Sequence, residues 1–316
     1  MQLHSVKRPF FYKRIYAIVV FSVLFIIIFI GFNFYDTDNA VKVNDNNNIR
    51  GNLIIFHAGS LSVPVKNLCY VFKKKYPAVN IITEAAGSKV CAYKILELNR
   101  RCDVFLSSDI KIIENILMPH WADFALPFAN NEMVIAYTNT AKYNDIINNK
   151  NWYNILLEDD VKTGRSDPAS DPCGVRTIFL LKLAEKYYRV NFADILLNKN
   201  KKYLRPKETE LLALLETKAI DYCFIYKSVA IQHNLKYIVL PDEINLSNKK
   251  YNAFYSTVYF ETKDSKGKII KEYGNAITYG LTIPKTCYNY SAAKAFVKFV
   301  LSEEGKEIIK ENKQQI

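Results

Sequence analysis

Four short polar turns recur along this chain, each opening a run with helical spacing. Asp171-Pro172-Cys173-Gly174 follows a short β-like stretch within residues 162–170 and opens an amphipathic run over residues 175–188. His57-Ala58-Gly59-Ser60 follows the apolar residues 53–56, and Ala85-Ala86-Gly87-Ser88 follows residues 79–83. Arg205-Pro206-Lys207-Glu208 opens a fourth helical pattern. A turn that feeds a helix leaves backbone N–H groups unpaired at the positive end of the helix dipole, which makes it a seat for an anion. One such turn is weak evidence, but four on one chain predict a pocket for an oxyanion.

Between the turns, strand-like and helical patterns alternate. Val65, Leu68, Cys69 and Phe72 recur at helical spacing, with Pro64 tolerated in the first turn and Tyr76-Pro77 ending the helix. Cys91, Ile95 and Leu98 form a second stripe; Thr177, Leu181, Ala184 and Tyr188 a third; Leu211, Leu212 and Leu215 a fourth. Residues 103–108, 133–137 and 279–283 read as short strands, and residues 222–226 as a strand buried on both faces. Residues 292–310 read as one or two closing helices. This alternation predicts an α/β fold with mostly parallel sheets covered on both sides. Ligands in such sheets bind beyond the carboxyl ends of the strands. Two turns lie early and two late, so the simplest arrangement is two lobes facing each other across a hinged cleft. Residues 51–135 with 282–316 are expected to form lobe I and residues 136–281 lobe II.

The chain has 316 residues, enough for two compact domains, and half of them are hydrophobic. A net charge of +12 would suit a nucleic-acid partner, but the lysines are scattered through predicted helices and no aromatic-basic motif accompanies them. No nucleic-acid partner is expected. The first fourteen residues hold Lys7, Arg8, Lys13 and Arg14 and no acid, and residues 15–35 are almost unbroken apolar sequence. Such a length spans about 30 Å as a helix, the thickness of a bilayer core. The expectation is an uncleaved single-pass anchor in the cell membrane with everything beyond it extracytoplasmic. A cleaved signal peptide, leaving a secreted protein, is the competing reading, although no A-x-A pattern stands near Gly31. Residues 36–50, rich in Asn and Asp, read as a flexible tether. The six cysteines match no zinc spacing and read as small buried hydrophobes. His57, His120 and His233 are isolated and read as structural.

His57-Ala58-Gly59-Ser60-Leu61, Glu84-Ala85-Ala86-Gly87-Ser88, Asn131-Glu132-Met133-Val134, Asp171-Pro172-Cys173-Gly174, Arg205-x-x-Glu208 and the stretch from Tyr222 to Ala230 together resemble the tungstate/molybdate-binding proteins of archaeal-type ABC importers. The motifs agree in order along most of the chain. The resemblance implies a type II periplasmic-binding fold that carries the oxyanion to an ABC permease and its ATPase, with no cofactor, and most simply as a monomer. It also implies that Gly59, Ser60, Ser88, Asp171, Pro172, Cys173, Glu208 and Tyr226 line the ligand. Asp171 and Glu208 would bond the molybdenum or tungsten atom itself in an octahedral mode.

The residues bear their own reading beside this one. Ser60 and Ser88 offer hydroxyls at helix starts, where serines also serve as ordinary caps. Tyr226 offers a phenol or simply fills the core. Two carboxylates could alternatively act as an acid–base pair in an enzyme, but no nucleophile is paired with a base in any recognisable motif. Sulfate or phosphate is the nearest rival ligand, and for either the two carboxylates would be a liability.

Overall fold

The computed structural model describes residues 49–263 and 269–316. Within them lie two five-stranded sheets and a two-stranded hairpin. The first sheet contains β1 (Gly51–Ala58), β2 (Val79–Ala86), β3 (Val104–Ser107), β4 (Leu126–Asn130) and β12 (Thr278–Thr282), in the order β2-β1-β3-β12-β4. The second contains β5 (Met133–Tyr137), β6 (Thr163–Ser166), β7 (Leu204–Arg205), β8 (Tyr222–Tyr226) and β9 (Lys236–Val239), in the order β7-β6-β8-β5-β9. The hairpin pairs β10 (Tyr259–Lys263) with β11 (Ile269–Tyr273).

The two sheets repeat one plan. In the first, β1 runs parallel to β2 and β3, while β12 is antiparallel to β3 and β4. In the second, β6 runs parallel to β7 and β8, while β5 is antiparallel to β8 and β9. The reversed strand in each sheet is the one that enters from the other lobe. The chain leaves β4 at Asn130 and begins β5 at Met133, so Asn131 and Glu132 make the first crossing. It returns through β12.

Packing follows the apolar spacing of the sequence. Helix α1 (Ser62–Lys75) lays Val65, Leu68 and Phe72 against the first sheet and keeps three lysines in its last turn, where they complement the dipole. Phe72 meets Phe296 edge-on at 5.1 Å, which docks the closing helix α6 (Tyr290–Leu301) on the same lobe. Ser302 separates α6 from α7 (Glu303–Glu311) by accepting a hydrogen bond from the Gly305 N–H at 3.2 Å. β8 is buried along its whole length, as its unbroken apolar sequence requires. All six cysteines are free thiols, four of them buried.

One expectation is corrected. Among the described residues no helix is long and apolar enough to cross a membrane. Residues 15–35, to which the anchor was assigned, lie outside the described residues. The α/β two-lobe part of the expected fold stands, and the single-pass transmembrane helix, with the membrane-anchored location built on it, is withdrawn.

Candidate functional site

Strand register gathers the four turns. β1 and β2 pair in step up to Ala58 with Ala86, which sets the Gly59 and Gly87 turns side by side. β3 joins with Leu106 opposite His57, so Ser108 emerges next to them. In the other sheet, Ser166 pairs with Arg205 and Gly164 with Cys223. That register delivers the Asp171 turn, the Glu208 turn, which leads into α4 (Leu211–Glu216), and the end of β8 to one edge.

The two edges touch. A Cβ built on Gly87 would lie 2.3 Å from the Ser170 carbonyl oxygen and 3.0 Å from that of Pro206. One built on Gly59 would lie 3.1 Å from Thr209 Oγ1 and 3.2 Å from Glu208 Oε1. Only glycine permits this approach at Gly87, where lobe I backbone abuts lobe II backbone. The structure thus brings together Gly59, Ser60, Ser88, Asp171, Pro172, Cys173, Glu208 and Tyr226, and all are buried.

Their local roles differ in kind. Neither Ser60 nor Ser88 caps its helix. Ser60 Oγ accepts a hydrogen bond from Tyr279 Oη at 3.0 Å. Ser88 Oγ accepts one from the Ser108 N–H at 3.1 Å and lies 3.2 Å from Ser108 Oγ. Asp171 does cap α3 (Pro172–Tyr188), accepting from the Cys173 N–H at 3.2 Å, and its second oxygen accepts from the Glu208 N–H at 2.8 Å. One carboxylate therefore ties two of the four turns together. Pro172 has no N–H, the Gly174 N–H bonds the Asp171 carbonyl, and the Cys173 thiol points back at the Phe224 carbonyl, 3.8 Å away. What this turn presents is carboxylate rather than amide.

Three buried polar atoms here have no hydrogen-bond partner among the described residues: Glu208 Oε1, Tyr226 Oη and Ser166 Oγ. Burial pushes the Glu208 carboxyl well above the ordinary glutamate range, and the neighbouring Asp171 charge pushes it further. Burial also raises Asp171 and the Tyr226 phenol. A buried, unpaired acceptor beside a second carboxyl is costly, and such groups cluster where a ligand is handled.

Two ion pairs cross between the lobes beside the site. Arg176, five residues along α3 from Asp171, donates to Asp109 Oδ2 and to Asn275 Oδ1 (the latter at 2.5 Å). Lys89, in the first turn of α2 (Ser88–Leu96), pairs with Glu272 on β11 at 2.9 Å. Lys89, Asp109 and Glu272 line a cleft of about 420 Å³ that includes none of the expected site residues. Removing one partner of a buried pair costs about 3–5 kcal/mol, because it strands the other charge. Arg176→Met is therefore expected to lower the melting temperature markedly, and Asp109→Asn in the same chain to recover part of the loss. A melting temperature unchanged by Arg176→Met would show that the pair adds nothing to closure.

Sequence reasoning gave no site role to Ser108, Asp109, Arg176 or Tyr279, and met Asn131 only as the start of a matched motif. Faint signals existed: the polar Ser107-Ser108-Asp109 end of a strand, and one arginine on an otherwise apolar helix face.

Two similar α/β lobes, a crossing on each side and a closed polar seat between the strand ends define a ligand-capturing protein of the periplasmic-binding class. Residues 53–312 match the bacterial extracellular solute-binding protein family, and the chain belongs to it. A solute-binding protein of Petrotoga mobilis is 47% identical over 269 residues, covering 84% of each chain. The molybdate/tungstate-binding protein WtpA of Thermococcus kodakarensis is 41% identical over 290 residues, covering 83% of this chain and 81% of that one. The periplasmic molybdate-binding protein of Azotobacter vinelandii shares the fold, with a TM-score of 0.63 at 15% identity over 84% of this chain and 99% of that one.

Proposed function

We propose that this chain captures a molybdate or tungstate oxyanion and hands it to an ABC permease driven by its ATPase, acting as a monomeric carrier rather than an enzyme. The observation that carries this reading is the pair of buried carboxyls, with Glu208 Oε1 unpartnered and Asp171 beside it. Burial opposes ionisation of either carboxyl, and once ionised one would repel a dianion at about 4 Å by roughly 8 kcal/mol at an effective dielectric of about 20. The arrangement becomes favourable when carboxylate oxygens bond the central metal atom. Molybdenum and tungsten can expand from tetrahedral to octahedral coordination, and sulfur in sulfate does not readily do so. In this role Glu208 and Asp171 discriminate against sulfate and phosphate. Ser60, Ser88 and Tyr226 donate hydroxyl hydrogen bonds to the oxo groups. Gly59 keeps the seat open against Glu208, and the Pro172–Cys173 turn holds Asp171 in place. The name borne by the Thermococcus kodakarensis relative supports the same ligand.

A thermal-shift series on the full chain with tungstate, molybdate, sulfate and phosphate tests the reading. At about 1,000 times its dissociation constant a ligand adds roughly 4 kcal/mol of apparent stability. A large upward shift with the first two anions and none with the others is expected. A shift with sulfate or phosphate of equal size would overturn the carboxylate mechanism, and no shift with any anion would overturn the function.

A further inference from the structure

Beneath Ser60 a chain of buried hydrogen bonds runs to the crossing between lobes, and its direction is fixed by chemistry. Asn131, the first residue of that crossing, accepts from the Glu132 N–H at 3.0 Å and the Ser228 N–H at 3.4 Å through Oδ1. Those two backbone donors orient the amide, so its NH2 faces the other way. Asn131 Nδ2 spends its two hydrogens on Ser228 Oγ at 2.8 Å and Tyr279 Oη at 2.9 Å. Tyr279 Oη, having accepted, gives its single hydrogen to Ser60 Oγ at 3.0 Å. Ser60 has then accepted within the protein, and its own hydrogen is left for the cleft, on the turn whose Gly59 faces Glu208. Asn131, Ser228, Tyr279 and Ser60 are all buried, so no bulk water competes for these positions.

We infer that Tyr279 is a positioning residue, held by Asn131, that fixes Ser60 as a hydrogen-bond donor to the captured oxyanion. This rests on the oxyanion reading above and adds to it. Ser60 could otherwise rotate its hydroxyl and point a lone pair at the anion. The relay also ties ligand contact to the hinge. Tyr279 lies on the returning strand β12, Ser228 is in the first turn of α5 (Lys227–Gln232) of the other lobe, and Asn131 lies between them. Rearranging the crossing therefore changes the partners that hold the Ser60 hydroxyl.

The test is a double-mutant cycle on tungstate affinity in the full chain, using Ser60→Ala, Tyr279→Phe and the pair. Ser60→Ala is expected to weaken binding about 10- to 100-fold, the range for one hydrogen bond to a charged group. Tyr279→Phe is expected to weaken it several-fold, yet to have no further effect once Ser60 is alanine. A tyrosine that merely packs would add its own loss to that of Ser60→Ala, and such additivity overturns the relay. So does a Tyr279→Phe variant with full affinity, or a Ser60→Ala variant with full affinity. Wild-type protein that binds no tungstate overturns the oxyanion reading itself, a result distinct from these. Should Tyr279→Phe fail to fold, neutron diffraction from deuterium-exchanged wild-type crystals grown with tungstate decides. Deuterium between Tyr279 and Ser60 on the tyrosine oxygen, with the Ser60 deuterium on the anion, supports the relay; the Ser60 deuterium aimed at Tyr279 refutes it.

Discussion

Glu208→Gln is expected to cost roughly 100-fold or more in tungstate affinity, about 2.8 kcal/mol, while leaving the unliganded chain as stable as before or more so. The two effects have one source. Glu208 is buried beside Asp171, and one of its oxygens has no partner among the described residues. An amide of the same shape ends the repulsion between the carboxyls and removes the group proposed to bond the metal. The pH dependence follows from the direction of the shift. The folded-state value lies above the ordinary glutamate value of about 4.3. The carboxyl therefore contributes its full stability below that ordinary value and loses it as the pH rises through the raised folded value. Burial shifts Asp171 in the same direction. Melting curves of wild type and Glu208→Gln should coincide in acid and diverge with rising pH, the variant melting higher. Calorimetric titration with tungstate supplies the other half. A glutamine variant that binds tungstate as tightly as wild type would sink the metal-bonding role of Glu208.

Gly87→Ala is the second large effect, and it acts on closure alone. Gly87 has ordinary backbone angles, φ −58° and ψ 140°, so alanine adds no conformational strain there. Its methyl group would stand 2.3 Å from the Ser170 carbonyl oxygen across the cleft, and backbone on both sides cannot move aside. Each lobe should fold normally while the pair stops short of contact, leaving the two turns of lobe I and the two of lobe II too far apart to hold one small anion. Tungstate binding should fall at least 100-fold, and small-angle scattering with ligand should show a larger radius of gyration than wild type. Wild-type affinity in Gly87→Ala would mean that the lobes close in another way.

The four turns were legible because each is a local object: an apolar strand, a polar break and a helical stripe within some twenty residues of sequence. Their convergence was legible only as an inference, since it depends on strand register. Ser108 reaches Ser88 because β3 pairs with β1 at one offset, and no local pattern states that offset. Tyr279 reaches Ser60 across more than two hundred residues, through a returning strand whose sequence reads as ordinary core. Asp171 shows a different gap. The sequence marks it as a carboxylate at a helix start, yet does not reveal that its two oxygens bind backbone from two separate turns. The serines invited a capping role on position alone, and the structure instead pairs Ser60 with the Tyr279 hydroxyl and Ser88 with the Ser108 N–H and hydroxyl.

The burial of the seat bears on kinetics. Every side chain proposed to face the ligand is at 1% exposure or less, so in this closed form exchange has to wait for the lobes to part. Dissociation then requires the lobes to open, so its rate depends on the scaffold as well as on the bonds proposed between the cargo and each lobe. Excess competitor in solution cannot hasten it. Only something that prises the lobes apart can.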